Sequence, residues 1–231
     1  MSQIDVILPT YNHKEFLDRA IPAILNQEFK DFSFIIVNDG SVDGTGDILD
    51  AKYSKLDPRI TIIHNASNKG LPAALNVGHA AGKAPYCTWI STDNVSRPNH
   101  LEVLYRAMIN SDCDFIQSSW QGITDSNKTI VHSGKGKGSW GFGNLGPSFL
   151  YKRKVWETYH YDEEAMMVED FKFYLQACCH PFKFKCIDDC LVDYYYQANS
   201  LTRRGYLKQS HREMLNSIYR TVIVPYLNRK I

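Results

Sequence analysis

Short runs that are almost entirely apolar alternate with helical stretches through the first half of this 231-residue chain, and few folds accept that alternation. The runs are residues 4–8, 34–37, 60–63, 86–90 and 114–118. Between them, Phe16, Leu17, Ala20, Ile21, Ile24 and Leu25 recur at helical spacing over 15–27, and further helices are predicted over 71–81 and 98–110. Pro22 inside the first is expected to kink it or mark a broken turn. Asp43-Gly44-Thr45 starts another helix. Strands without polar alternation, joined by helices, predict an α/β fold with a Rossmann-like, mostly parallel central sheet covered on both faces.

In such a sheet ligands collect beyond the carboxyl ends of the strands. Four turns follow strands here: Tyr11 and Asn12, Asp39, Asn68 and Lys69, and Thr92-Asp93-Asn94. They are expected to meet on one edge. A lone aspartate at a strand end is usually a turn residue. Asp93 is read as functional because three matching turns accompany it.

Bulk properties narrow the function. A net charge of +1 leaves no footprint for nucleic acid or an acidic membrane, so any phosphate binding is local. No apolar run approaches the ~20 residues that cross a bilayer, and the N-terminus lacks a signal-peptide layout, so a cytoplasmic protein is expected. Cys178-Cys179-His180, Cys186 and Cys190 lack the spacing of a zinc finger or ribbon, and the six cysteines read as thiols.

The character changes after residue 95. A hairpin is predicted over 122–132 and a Gly-rich loop over 134–146, without P-loop spacing. A strand over 147–151, a short helix over 152–158 and a helix over 168–178 follow. Residues 184–187 and 191–195 read as two strands able to pair, and 206–219 as a last helix. Glu169-Asp170 opens the 168–178 helix, where acidic residues also complement the helix dipole. One domain over 1–231 is expected, with halves 1–95 and 96–231.

Val6-Ile7-Leu8-Pro9-Thr10-Tyr11-Asn12, Val37-Asn38-Asp39-Gly40-Ser41 with Asp43-Gly44-Thr45, and Asn68-Lys69-Gly70 with Ala73, Ala74, Asn76 and Gly78 together resemble family 2 glycosyltransferases of the GT-A fold. Thr92-Asp93-Asn94 falls where that family places its DXD-type metal motif. Tyr161-Asp162-Glu163 and Glu169-Asp170 fall where it places an acidic turn and the catalytic pair. The resemblance runs from about residue 4 to about residue 202 and implies inverting transfer of a sugar from a nucleoside diphosphate, UDP by family frequency, to a saccharide or other hydroxyl acceptor. It implies Asp170 as general base, with Glu169 orienting the acceptor or capping the helix. It implies Pro9, Tyr11, Asn12, Asp39, Asn68, Lys69, Thr92 and Asp93 around the nucleotide, and Mn²⁺ or Mg²⁺ on Asp93.

The departures are Ser91 where the family commonly has an aspartate, Asn94 where a third acid can stand, and Leu75 where many members carry an arginine. Gln197 stands where a histidine often approaches the metal. Arg203 and Arg204 are candidates for the missing positive charge. Trp140, in the Gly-rich loop, is the candidate acceptor contact. The thinned metal motif also admits a degenerate module that binds nucleotide or glycan without turnover, and intact Glu169-Asp170 argues against it.

Overall fold

The computed structural model describes residues 2–124, 129–132, 146–165, 168–179, 181–196, 213 and 216–223. In chain order these form β1 (Ile4–Thr10), α1 (Lys14–Leu25), β2 (Phe32–Asn38), α2 (Thr45–Ile48), a π-helical turn (Leu49–Tyr53), β3 (Ile60–His64), α3 (Leu71–Ala81), β4 (Tyr86–Trp89) and β5 (Val95–Ser96). Then come α4 (His100–Ile109), β6 (Phe115–Ile123), β7 (Thr129–His132), β8 (Phe149–Lys152), α5 (Arg153–Thr158), α6 (Glu169–Cys179), β9 (Phe184–Tyr195) and a second π-helical turn (Tyr219–Ile223).

One sheet takes the order β3-β2-β1-β4-β8-β6-β9-β5, with β7 added on β6. The four strands β3, β2, β1 and β4 are parallel. Beyond them β8 runs antiparallel to both β4 and β6, which returns β6 and β9 to the direction of β4. The carboxyl ends of β1, β2, β3, β4 and β6 therefore lie on one edge.

Alternation along β1 splits the core between the two faces. Ile4, Val6 and Leu8 pack with α1, α4 and the Leu49–Tyr53 turn. Ile7, on the other face, packs with Leu75, Val155, Phe173 and Tyr174 of α3, α5 and α6. Gly78 lets α3 lie close to the sheet, because a Cβ there would stand 2.5 Å from Ile7 Cγ2. On this face an ion pair sits inside: Arg153 donates to the Asp5 carboxylate, which also takes Ser33 Oγ and Ala84 N–H.

The parallel α/β core expected from the apolar runs is present, and so is the β6–β7 hairpin. Two expectations are corrected. Pro22 does not break α1, which is continuous from Lys14 to Leu25 and continues past the proline by its Asn26 N–H to Pro22 O bond. Residues 184–195 form one strand rather than two paired ones; β9 runs parallel to β6, and the register jumps between Ser118↔Ile187 and Ser119↔Cys190. The polar pair Asp188-Asp189 that interrupts the apolar pattern therefore marks a bulge, not a turn. The short β5, which pairs antiparallel with β9, was not anticipated. The predicted 206–219 helix and the Gly-rich loop lie mostly outside the described residues. No helix among the described residues is long and apolar enough to cross a membrane.

Candidate active site

Backbone and side-chain bonds tie the four strand-end turns together. Asp39 N–H donates to Thr10 O at 2.9 Å, joining the turn after β2 to that after β1. Asn12 takes a left-handed backbone (φ 52°), which asparagine tolerates better than most residues. Its N–H donates to Ser41 Oγ at 2.9 Å, and its Oδ1 accepts Val42 N–H at 2.9 Å. Thr92, buried in the turn after β4, meets His13 Nδ1 at 2.5 Å. Gly40 permits a close approach between two of the turns: a Cβ would lie 2.5 Å from the Ser67 carbonyl carbon, and its φ is +69°.

Asp39 organises the fourth turn. It is only 3% exposed, and its two oxygens accept Asn65 Nδ2 at 2.7 Å, Lys69 N–H at 3.0 and 3.2 Å, and Gly70 N–H at 2.8 Å. The carboxylate thus binds the free N–H groups just ahead of α3, the position where an anion best complements a helix dipole. Asn68, exposed, accepts Gly70 N–H at 2.9 Å, and Lys69 is also exposed. Pro9 is buried in β1 opposite Val37, whereas Tyr11 is 42% exposed at the rim.

Asp93 is half-buried, and Ser91 Oγ donates to its Oδ1. Arg19 of α1 donates to Asp93 O at 2.7 Å, with its guanidinium 4.5 Å from the Tyr195 ring centroid. That stack joins the Asp93 turn to the end of β9. Asn94 is 3% exposed, and its Oδ1 has no hydrogen-bond partner among the described residues. The turn therefore offers one carboxylate and one uncommitted amide oxygen. Oxygen donors suit Mg²⁺ or Mn²⁺, and so small a set suits an ion shared with a diphosphate rather than held by protein alone. Among the described residues no three His, Cys, Asp or Glu side chains converge as a metal cage.

Glu169 and Asp170 open α6 on the α3 side of the sheet. Glu169 is 5% exposed, and Asp170, half-buried, accepts Phe171 N–H at 2.6 Å. Asp170 and Trp89 wall one small cavity, and Trp89 ends β4 four residues before Asp93, so the two acidic positions are served by the same strand end. Burial raises the Asp170 carboxyl above the ordinary carboxylate range, opposed by the Phe171 N–H. The preceding turn is fixed by Asn76 of α3, which accepts Tyr161 N–H at 3.0 Å and Trp156 Nε1–H at 3.2 Å and donates to Tyr161 O at 2.8 Å. Asp162 and Lys172 pair across the start of α6, and the bond from Lys172 lowers the Asp162 carboxyl.

The structure thus gathers Pro9, Tyr11, Asn12, Asp39, Asn68, Lys69, Thr92 and Asp93 on one edge. Trp140, Gln197, Arg203 and Arg204 lie outside the described residues. Trp156 is 8% exposed and packs on His79 at 5.3 Å; Trp120 stacks on His132 at 3.9 Å. Leu75 is fully buried among the apolar side chains of α3, β4 and β8. His13, Arg19, Asn76 and Tyr161 carry roles that no sequence reading assigned. Arg19 left one signal, a cation three residues beyond Phe16 beside the apolar stripe of α1.

Comparison with known proteins bears on this arrangement. The model described as "Glycosyl transferase family 2" matches residues 5–190. An uncharacterized glycosyltransferase of Methanocaldococcus jannaschii is 28% identical over 98% of this chain and 80% of its own length. Glycosyltransferase GlyG of Streptococcus pneumoniae is 27% identical over 87% of this chain and 73% of its own. Among solved structures, S. aureus TarS 1-349 superimposes with a TM-score of 0.78 at 18% identity, over 97% of this chain. This chain spans 65% of that TarS chain. TarS 1-349 has also been solved in complex with UDP-GlcNAc, with a TM-score of 0.74 to this chain.

Proposed function

The chain belongs to glycosyl transferase family 2, a family of sugar-transferring enzymes with the GT-A fold, and on that premise we propose that it transfers a sugar from a UDP-linked donor to an acceptor hydroxyl with inversion at the anomeric carbon. One observation carries the reading: the four strand-end turns are bonded into a single edge, and Asp170 lies beside the strand end that leads to Asp93. The UDP-GlcNAc complex of TarS supports UDP as the nucleotide. Residues 1–95 hold the nucleotide sugar, and residues 96–231 supply the acceptor side and the base.

In this reading Asp170 takes the acceptor hydroxyl proton as the new C–O bond forms on the face opposite the departing diphosphate. A positioned base of this kind is worth ~10²–10⁴-fold in rate. Its partial burial favours that role, since a carboxylate raised above its ordinary range accepts a proton more readily. Tyr11 at the rim lines the nucleoside pocket, with Pro9 behind it. Asn12 and Asp39 act mainly by shaping the turns, and Asp39 presents Asn68 and Lys69. Asp93 would hold a Mn²⁺ or Mg²⁺ together with the diphosphate. Such an ion, when bound, neutralises charge on the leaving group.

Calorimetric titration of UDP, GDP and dTDP, each with and without Mn²⁺, tests the donor site. UDP is expected to bind best and to bind more tightly with Mn²⁺; binding indifferent to the ion removes Asp93 from its role. Asp170→Asn is expected to lose at least ~10²-fold in turnover while UDP affinity stays within about twofold. Unchanged turnover would remove Asp170 as base. Intact UDP binding with no turnover of any UDP-sugar by the unaltered protein would favour the degenerate binding module, to which the single carboxylate of the Asp93 turn lends weight.

A further inference from the structure

Behind Asp170 runs a line of buried side chains that the reaction as described does not use. His79 of α3 and Tyr151 of β8 are fully buried, and Tyr161 is 2% exposed. His79 Nδ1 lies 2.7 Å from Leu75 O. A carbonyl only accepts, so Nδ1 carries the ring proton. Burial pushes the ring pKa down to about 3, so the imidazole is neutral and Nε2 has only its lone pair. Tyr151 Oη, 2.5 Å from Nε2, must donate to it. The one proton of Tyr151 is then committed, and its 3.1 Å contact with Tyr161 Oη is a bond donated by Tyr161. The Tyr161 proton is in turn spent on Tyr151.

Tyr161 and Asp170 wall the same cavity of about 10 Å³, at the lower limit of space for one water. Burial pushes the Tyr161 phenol well up, and the nearby Asp170 charge adds to the rise, so Tyr161 stays protonated. Other groups around the cavity do not substitute for it. Tyr174 of α6 bonds Cys178, the indole N–H of Trp89 of β4 is turned to the Tyr161 oxygen, and most remaining walls are phenylalanine rings. Glu169 precedes Asp170 on its own helix. Tyr161 therefore shares the cavity with Asp170 while its one proton is committed to Tyr151.

We propose that His79, Tyr151 and Tyr161 form a one-way hydrogen-bond relay, and that Tyr161 is a positioning residue which, by withholding its proton from Asp170, keeps that carboxylate ready to take the proton of the acceptor hydroxyl. A hydroxyl free to donate would stabilise the carboxylate and weaken it as a base. The proposal rests on the reading of Asp170 as base, and the two are tested separately.

The Asp170 carboxyl is followed by ¹³C NMR in protein labelled at the aspartate carboxyls, its signal assigned by its loss in Asp170→Asn. Tyr151→Phe keeps the ring but frees the Tyr161 proton to turn toward Asp170, and the titration midpoint falls by about one pH unit or more. The acidic limb of kcat/KM moves down with it. Tyr151→Phe combined with Tyr161→Phe leaves no proton to give, and the midpoint returns toward that of the unaltered protein. His79→Leu breaks the line at its other end and produces the same fall. A midpoint that stays put in both Tyr151→Phe and His79→Leu, or a fall that persists in the double variant, overturns the relay. The titration reads the relay whether or not Asp170 is the base; turnover of Asp170→Asn reads the base.

Discussion

At the scale of single residues, one carboxylate can matter more for where it holds the chain than for what it touches in a substrate. Asp39 has its two oxygens filled by N–H groups of Asn65, Lys69 and Gly70. Asp39→Ala leaves three donors without their acceptor at a site that is 3% exposed. The variant is expected to lose about 3 kcal/mol of stability, read from the urea midpoint, and to bind UDP more weakly as the loop ahead of α3 loosens. The sequence marked Asp39 by its Asn-Asp-Gly turn and by family resemblance, but gave no sign that its partners lie ~30 residues away, because hydrogen bonds between distant turns leave no local pattern. The same holds for His79, which reads from sequence as a polar residue on a small-residue helix. Its burial and its Tyr151 partner emerge only when α3 packs over β8.

At the scale of elements, the apolar runs and helical spacings were legible because each reflects burial of one face against the sheet. What escaped was pairing that depends on distant strands: β5 is two residues long and exists only because β9 passes beside it, and β9 looked like two strands because a bulge carries Asp188 and Asp189. Helix α6, which carries Glu169 and Asp170, was visible, but what aims it was not. Asn76 of α3 grips both backbone atoms of Tyr161, and Tyr161 leads into the turn that starts α6. Asn76→Ala removes these bonds and the partner of Trp156 Nε1. Stability is expected to fall by about 2 kcal/mol. Hydrogen exchange sharpens the test: amides of Tyr161 and Ala165 should exchange faster while those of β1 and β2 stay protected. Equal loosening of both regions would show that the asparagine supports the whole fold rather than this turn.

At the scale of the whole molecule, two buried histidines set the response to acid. His79 and His100 are both pushed down by burial to a pKa of about 3, from an ordinary value of 6.5. Below pH 6.5 the unfolded chain takes up protons that the folded chain refuses, so stability falls as pH is lowered from about 6.5 toward 3. Each histidine contributes a slope of up to roughly 1.4 kcal/mol per pH unit across that window. Urea midpoints measured at pH 7, 5.5 and 4.5 should decline steadily, and His100→Gln should flatten the decline; a flat profile in the unaltered protein would show that these rings are not held neutral. Packing also governs how readily the molecule can change. Leu75 is sealed inside the α3 side of the core. An arginine introduced there would strand an unpaired charge among aromatic rings, at a cost of several kcal/mol. An arginine at this position therefore requires α3 to shift or turn first, and the Gly78 contact with Ile7 leaves it little room. The core around α3 thus restricts which side chains position 75 can carry.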